Sequence, residues 1–354
     1  MKDFNAILQI WYLKNKRKLP WRETSDAYLI WLSEIILQQT RVDQGLPYWT
    51  RFASTFPTIT DLANAPEEQV MLMWQGLGYY SRARNLHSAA KQVTTSFNHK
   101  FPSNYHDIRS LKGIGDYTAA AIASFAFNLP HAVVDGNVYR FLSRLFGIDL
   151  PIDSSEGKKI FAELAQNLLN KKDPGEHNQA IMEFGSQQCK PSNPDCNNCP
   201  FSQNCFALSK GQVHILPVKS KKIKVRDRYF HFLIIHDGKK TLVEKRKSKD
   251  IWQGLFQFPL IEGLTKTSIK SGKVLEFAKG ITGNKDVRLI KKSIEIKHLL
   301  SHQTIHTIFW WFDSSTISRK NANTDYQIIS ISDLENIGMP QLIVKYLSSN
   351  YFLP

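Results

Sequence analysis

Two carboxylates stand where this sequence could use them chemically. Glu34 lies in AYLIWLSEIILQQTRV, where Tyr28, Leu29, Ile30, Trp31, Leu32, Ile35, Ile36 and Leu37 wrap a helix almost completely. A carboxyl group so surrounded loses solvation, which disfavours its charged form and suits it to act as a general acid. The alternative is a structural Glu that reaches a buried Arg. Asp135 lies in Asp-Gly-Asn-Val, after the apolar run Ala132 to Val134 and at the expected start of a helix, with Asn137 two residues on. It can serve as an acid or as an ordinary N-cap. Twenty residues before it, Gly113 and Gly115 break a helical pattern just ahead of the Ala-rich segment Tyr117 to Phe127. Glycine at both positions lets the backbone take φ > 0 and approach another surface, while the helix start leaves N–H groups pointing outward. Such a turn can seat a phosphate, or can be an interhelical turn with no ligand at all.

The only cysteines are Cys189, Cys196, Cys199 and Cys205, spaced C-x6-C-x2-C-x5-C. Four thiols gathered in one stretch, with none elsewhere, imply a metal centre rather than a disulfide framework in a chain of this size. Zinc with four thiolates commonly uses paired C-x2-C units, and only one such pair exists here. The unequal outer spacings suit a cube that takes one thiolate at each corner.

The elements that must position these groups follow from periodicity and punctuation. Asp26 or Ser25 caps a helix expected to run through Glu34 to about Asp43 and to end at Gly45 and Pro47. Apolar residues recur at helical spacing through most of residues 1–210, with Pro at the joins. After Cys205 the character changes. Residues 211–228 form a basic linker that includes KSKKIKVRDR. Beyond it, Tyr229 to Ile235 and Lys240 to Arg246 are expected strands joined through Asp237-Gly238; Val287 to Ile296 and Thr304 to Phe312 continue the strand pattern, and Ser332 to Leu347 closes with a helix. The expectation is an all-α domain over 1–210, containing the cysteine loop 189–205, and an α+β domain over 229–354.

The 354 residues carry 46 Lys and Arg against 31 Asp and Glu, a net charge of +15, which favours a polyanionic partner. The apolar run at the N-terminus is short and contains Asp, Asn and Gln, and no stretch is long enough to span a membrane. An intracellular, cytoplasmic and monomeric protein with no membrane contact is expected.

Together these segments resemble the helix-hairpin-helix superfamily of DNA glycosylases, which includes the endonuclease III and MutY families. LKGIGDYTAAAIASF followed by Asp135 resembles its hairpin and catalytic Asp, the cysteine spacing resembles its 4Fe-4S loop, and SEIILQQTRV resembles the MutY segment whose Glu is catalytic. The resemblance implies that Glu34 is the general acid and Asp135 the carboxylate that stabilises the sugar cation, with Asn137 beside it. Gln39 and Thr40 would enter the base stack, Tyr79 in GLGYYSRARNLH would wedge against the damaged pair, and Arg22 and Gln179 would line an adenine pocket. Gly113 and Gly115 would hold the strand, and the four cysteines a 4Fe-4S cluster. Lyase-active relatives place a Lys two residues after the second hairpin Gly; here that residue is Tyr117, which implies base removal without strand cleavage.

TLVEKR and WQGLFQFP resemble the Nudix-like C-terminal domain of the MutY family, without the Glu-rich signature of active Nudix hydrolases. His298, His302 and His306 recur at intervals of four, a metal-binding face on a helix, but the strand pattern from Thr304 separates them. Leu300-Ser301-His302 resembles the Phe-Ser-His loop that reads 8-oxoguanine, so Ser301 and His302 are candidate lesion contacts, whereas Leu300 cannot stack like Phe. The resemblance implies an adenine DNA glycosylase acting on double-stranded DNA that contains 8-oxoguanine:adenine or guanine:adenine mispairs. An endonuclease III-like glycosylase/lyase on oxidised pyrimidines and a non-catalytic DNA-binding protein are the alternatives.

Overall fold

A computed structural model describes residues 3–220, 225–247, 249–263, 269–317 and 325–350. The chain divides into two units, Met1–Asn64 with Asn85–Lys222, and Ala65–Arg84 with Ile223–Pro354. The stretch 65–84, which sequence alone assigns to the first domain, therefore groups with the second unit.

The first unit is helical. Its N-terminal part contains α1 (Phe4–Asn15), a 3-10 turn (Pro20–Arg22), α2 (Ala27–Leu37), α3 (Val42–Thr55) and α4 (Ile59–Asn64). Next in the chain come α5 (Glu67–Met73), which belongs to the second unit, and α6 (Ser81–Ser96), whose first turn does. Then follow α7 (Tyr105–Ser110), α8 (Asp116–Phe127), α9 (Gly136–Phe146), α10 (Ser155–Leu168), α11 (Pro174–Gln187) and the short α12 (Phe206–Ser209). Phe4, Trp11, Phe141, Phe184 and Phe201 from α1, α9, α11 and the cysteine loop form one core, with Phe141 and Phe184 ring centroids 4.4 Å apart. Burial of each such ring stabilises the fold by roughly 1.5–3 kcal/mol. Ala119, Ala121 and Ala123 of α8 are fully buried. Helix α8 packs against α2, where Tyr117 and Thr118 meet Glu34 and Gln38.

The helix bearing Glu34 is shorter than its sequence suggests. Asp26 caps it, accepting the Tyr28 N–H at 2.8 Å, but α2 stops at Leu37. Gln39 then takes a left-handed φ of 56°, and a new helix starts at Val42. Gly45 and Pro47 lie inside that helix rather than ending the first one. Gly45 is needed for close packing, since a Cβ there would meet Leu37 Cδ2 at 2.7 Å. Pro47, in the second turn, removes one backbone donor and its ring crowds the carbonyl of Asp43.

In the second unit, β1 (Arg226–His236) and β7 (Gln303–Asp313) run parallel through the centre of a mixed sheet, with Phe230 opposite Thr307. β2 (Lys240–Lys245), β3 (Phe256–Gln257) and β4 (Leu260–Gly263) extend one side; β5 (Arg288–Lys292) and β6 (Ile296–Leu299) pair antiparallel with β7, and β8 (Gln327–Ser330) with β2. The expected β1–β2 hairpin forms: Asp237 Oδ1 accepts the Lys239 and Lys240 N–H groups, and Gly238 takes φ 86°. Two expectations need correction. Val287 to Ile296 is not one strand, because β5 ends at Lys292 and β6 begins at Ile296. Ser332 to Leu347 is not one helix, because Gly338 to Pro340 separate a 3-10 turn (Ile331–Asn336) from α14 (Gln341–Ser349). Helix α13 (Ser271–Thr282) packs Val274, Ala278 and Ile281 against Leu233, Trp310 and Phe312 on one face of the sheet. Of the basic stretch 219–228, residues 221–224 lie outside the described residues, and Arg226 to Arg228 already form the start of β1. Among the described residues, no helix is long and apolar enough to cross a membrane.

Candidate active site

A cleft of about 540 Å³ opens within the helical unit, a size suited to a small organic ligand. It brings together candidates from four separate stretches: Arg22 from the 3-10 turn, Glu34 from α2, Gln39 and Thr40 from the α2–α3 turn, and Tyr117 from α8. Asp135 and Asn137 at the start of α9, and Gln179 on α11, also line it.

Glu34 is 8% exposed, and its Oε2 accepts the Tyr117 hydroxyl at 2.9 Å. Burial pushes its carboxyl up to about 7; the nearby Asp135 adds to this, while the Tyr117 hydrogen bond and Arg22 oppose it. The group can therefore hold a proton near neutral pH. Burial and the neighbouring carboxylates push the Tyr117 phenol well above its usual range, so it stays a neutral donor.

Asp135 is both a cap and a cleft residue. Its Oδ1 accepts the Asn137 and Val138 N–H groups at 2.9 and 2.8 Å, and its Oδ2 accepts Asn137 Nδ2 at 2.7 Å. Burial pushes this carboxyl up, while these donors and Arg140 favour the ionised form. Asn137 is held in turn by Arg140, whose Nη2 donates to Asn137 Oδ1 at 2.8 Å and whose Nε donates to the Cys189 carbonyl at 2.7 Å. The loop that delivers Asp135 is tied down by Asn178, which accepts the Val133 N–H and donates to Ser124 and the His131 carbonyl.

The hairpin lies between α7 and α8. Gly113 has φ +80°, and a Cβ there would meet Asn85 Cβ at 2.6 Å, so only glycine fits. Gly115 differs from expectation: its backbone is extended, with φ −94° and ψ 176°, and nothing within 4 Å would meet a Cβ. Its role cannot be to permit positive φ; it leaves the start of α8 uncovered. Arg109 braces the turn through Asp116 at 2.6 Å and the Ile114 carbonyl.

The four cysteines line a second, apolar cavity with Phe141, Phe184 and Phe201. Arg144 Nη1 lies 3.5 Å from Cys189 Sγ and donates to the Lys190 carbonyl. Among the described residues no three His, Cys, Asp or Glu side chains are arranged to hold a single metal ion.

Tyr79, Ser301 and His302 belong to the second unit. Tyr79 sits at a left-handed φ of 47°, and its hydroxyl hydrogen-bonds Ser301 Oγ. Leu300 to Gln303 make a tight turn between β6 and β7, with the Leu300 N–H donating to the Gln303 carbonyl at 2.8 Å. Ser301 and His302 are exposed and Leu300 is half-buried. The three histidines do not share a face: His298 is on β6, His302 in the turn, and His306 on β7 between Glu295 and Asp227.

Sequence reasoning missed Arg17, Arg140 and Glu183. The buried, Arg-paired glutamate considered for position 34 exists, but at Glu183: it is 1% exposed and shared by Arg17 and Arg22. Glu183 lies one helical turn after Gln179 on α11, a face that also carries Glu176 and Ser186, so nothing local marked it out.

Residues 32–168 match the HhH-GPD superfamily of base excision DNA repair proteins, and residues 230–349 match the NUDIX domain. Over 346 residues the chain is 32% identical to the adenine DNA glycosylase of Buchnera aphidicola subsp. Baizongia pistaciae, covering 98% of this chain and 95% of that protein. Among solved structures, a thermostable thymine-DNA glycosylase aligns with TM-score 0.55 and 28% identity over 59% of this chain and 96% of its own. An endonuclease III–DNA covalent intermediate aligns over 59% of this chain and 96% of its own with TM-score 0.53 and 20% identity, a likeness of fold.

Proposed function

The chain belongs to the adenine DNA glycosylases of base excision repair, and we propose that it removes adenine paired with 8-oxoguanine or guanine by hydrolysis, leaving an abasic site. The carrying observation is the buried, proton-holding Glu34 in one cleft with Asp135.

Adenine must leave the base stack to reach such a cleft, so base flipping precedes chemistry. Glu34 donates its proton to adenine N7, and the N-glycosidic bond breaks with its electron pair on the base. Asp135, whose charged form its three donors favour against the effect of burial, stabilises the positive charge that develops at C1′. Water adds at C1′ and returns a proton to a carboxylate. Tyr117 orients Glu34 and Asn137 orients Asp135. Arg22 and Gln179 offer donors and an acceptor to the base edge. Hydrolysis without strand cleavage is supported by the lining itself: a Schiff base needs an amine, and no lysine lines the cleft among the described residues.

The hairpin presents the start of α8 to a backbone phosphate, and Gln39 and Thr40 hold the opened stack. In residues 229–354, Ser301 and His302 read the base opposite adenine, with Tyr79 wedged beside them; the protein works as a monomer on double-stranded DNA. The donor chemistry of the cysteine cavity fits an iron–sulfur cluster: four thiols line one apolar space. Cys189, Cys196, Cys199 and Cys205 would hold a 4Fe-4S cluster, which with four protein ligands supplies structure rather than an open iron site.

Single-turnover assays on duplexes with adenine opposite 8-oxoguanine, guanine or thymine test this, alongside iron and sulfide analysis. Excision opposite 8-oxoguanine and guanine, with strand breaks only after alkali, is expected. Breakage without alkali together with a borohydride-trapped complex would overturn the hydrolytic mechanism.

A further inference from the structure

Glu183 lies in the wall of the cleft, on the same face of α11 as Gln179 one turn earlier. Its Oε1 accepts Arg17 Nε at 2.7 Å and the Arg17 backbone N–H at 3.1 Å; its Oε2 accepts Arg17 Nη2 at 2.7 Å and Arg22 Nη2 at 2.8 Å. Arg22 is locked further by donating Nη1 to the Arg17 carbonyl at 3.1 Å. Two guanidinium groups thus share one buried carboxylate, and both line the cleft that contains Glu34.

We propose that Glu183 is a positioning residue that sets the charge on this wall, holding Arg17 and Arg22 in place and cancelling one of their two positive charges so that Glu34 keeps its proton. The proposal deepens the assignment of Glu34 as general acid and rests on it. Arg22 acts on Glu34 directly, drawing its carboxyl toward the charged form. A wall with a net charge of +1 moderates that pull; without Glu183 it becomes +2, and the acid loses its proton at a lower pH. The other groups near this network leave the balance in place. Tyr12 packs beneath Arg22, with its ring centroid 5.9 Å from the guanidinium, and is neutral. Glu176 pairs with Lys16 and accepts from Gln9, and Asp43 acts on Arg17 from the α3 side. Tyr117 and Asp135 face Glu34 from α8 and α9.

The test is the pH dependence of single-turnover adenine excision from an 8-oxoguanine:adenine duplex, using the full-length protein with its metal content verified. In the wild type the rate falls as pH rises through the ionisation of the acid. Glu183→Gln should move that fall to lower pH by about one unit, the size expected of a nearby charge. Arg17→Gln, which lowers the wall charge to zero, should move it to higher pH. Glu183→Asp retains the charge and should keep the wild-type position even where the rate drops. Opposite shifts support the proposal; an unmoved fall in both Glu183→Gln and Arg17→Gln, with only lower rates, overturns it and leaves Glu183 a structural brace. If Glu183→Gln does not fold by circular dichroism, the direction of the Arg17→Gln shift decides alone. Glu34→Gln separates this from the underlying assignment: excision retained by Glu34→Gln overturns Glu34 as the acid, whereas excision lost there with unmoved profiles elsewhere overturns only the role of Glu183.

Discussion

Glu34 and Asp135 are both buried carboxylates, and their surroundings treat them differently. Glu34 has one hydroxyl donor, whereas Asp135 has two backbone N–H donors and an amide. Replacing Glu34 with Gln is therefore expected to cost about 10²–10⁴-fold in excision rate, the range for loss of a general acid, measured in single turnover. The same change should stabilise the fold in alkali. The folded carboxyl titrates at about 7 and the unfolded one near 4.5, so the native state binds the proton more tightly and loses stability as pH rises between these values. Above pH 7, Glu34→Gln should gain on the order of 3 kcal/mol at most in urea unfolding; an unchanged midpoint would show that Glu34 is solvated. For Asp135, Asn can still cap α9, so Asp135→Asn should unfold near the wild-type midpoint yet excise poorly. Asp135→Ala should also lose about 1 kcal/mol of capping. Burial of Glu34 was legible from the apolar residues around it in α2, because helical periodicity is local. That it meets Tyr117 rather than an arginine was not legible, because the two residues are 83 positions apart.

The hairpin and the 300–302 turn show what neighbouring elements add. Gly113→Ala should destabilise the first unit by about 1 kcal/mol or more, since it combines positive φ with a clash on Asn85. Gly115→Ala meets nothing, so it should cost only the penalty of Ala at an N-cap, below about 1 kcal/mol; duplex binding weakened beyond that small loss of stability is expected if the start of α8 seats a phosphate. In the second unit, His306 at the start of β7 bonds Glu295 at 2.8 Å and Asp227 at 3.0 Å. The Glu295 hydrogen bond raises the imidazole above its usual value, so this brace is complete below pH 6.5 and is lost as pH rises through the raised value. Amide exchange of residues 300–303 should accelerate across that window, and His306→Gln should remove the pH dependence. Strand and helix types were readable here from alternation and 3.6-residue spacing. The ends were not: Gln39 in a left-handed turn and Gly45 packed on Leu37 turned one expected helix into two, because the packing of α3 on α2 decided where the chain bends.

Across the whole chain, a net charge of +15 matches a polyanionic partner. Duplex affinity should fall linearly on a log–log plot with salt, by about 10³–10⁵-fold between 50 and 200 mM if six to ten phosphates are neutralised; a flat plot would remove DNA backbone contact as the basis of binding. The family and the two kinds of domain were recoverable from order in the chain: hairpin glycines, clustered cysteines, and alternating strands after residue 225. These are short-range patterns, set by backbone sterics and the periods of helix and strand, and they survive without knowledge of the fold. The cleft is another matter. Arg22, Glu34, Tyr117, Asp135 and Gln179 come from separate stretches of the chain, and the sharing of Glu183 between Arg17 and Arg22 across more than 160 residues leaves no local trace. Likewise, residues 65–84 group with the second unit although they lie within the first unit's stretch of sequence. Such pairings depend on which surfaces pack and on which buried charges must find partners, and those are set only when the helices and strands meet.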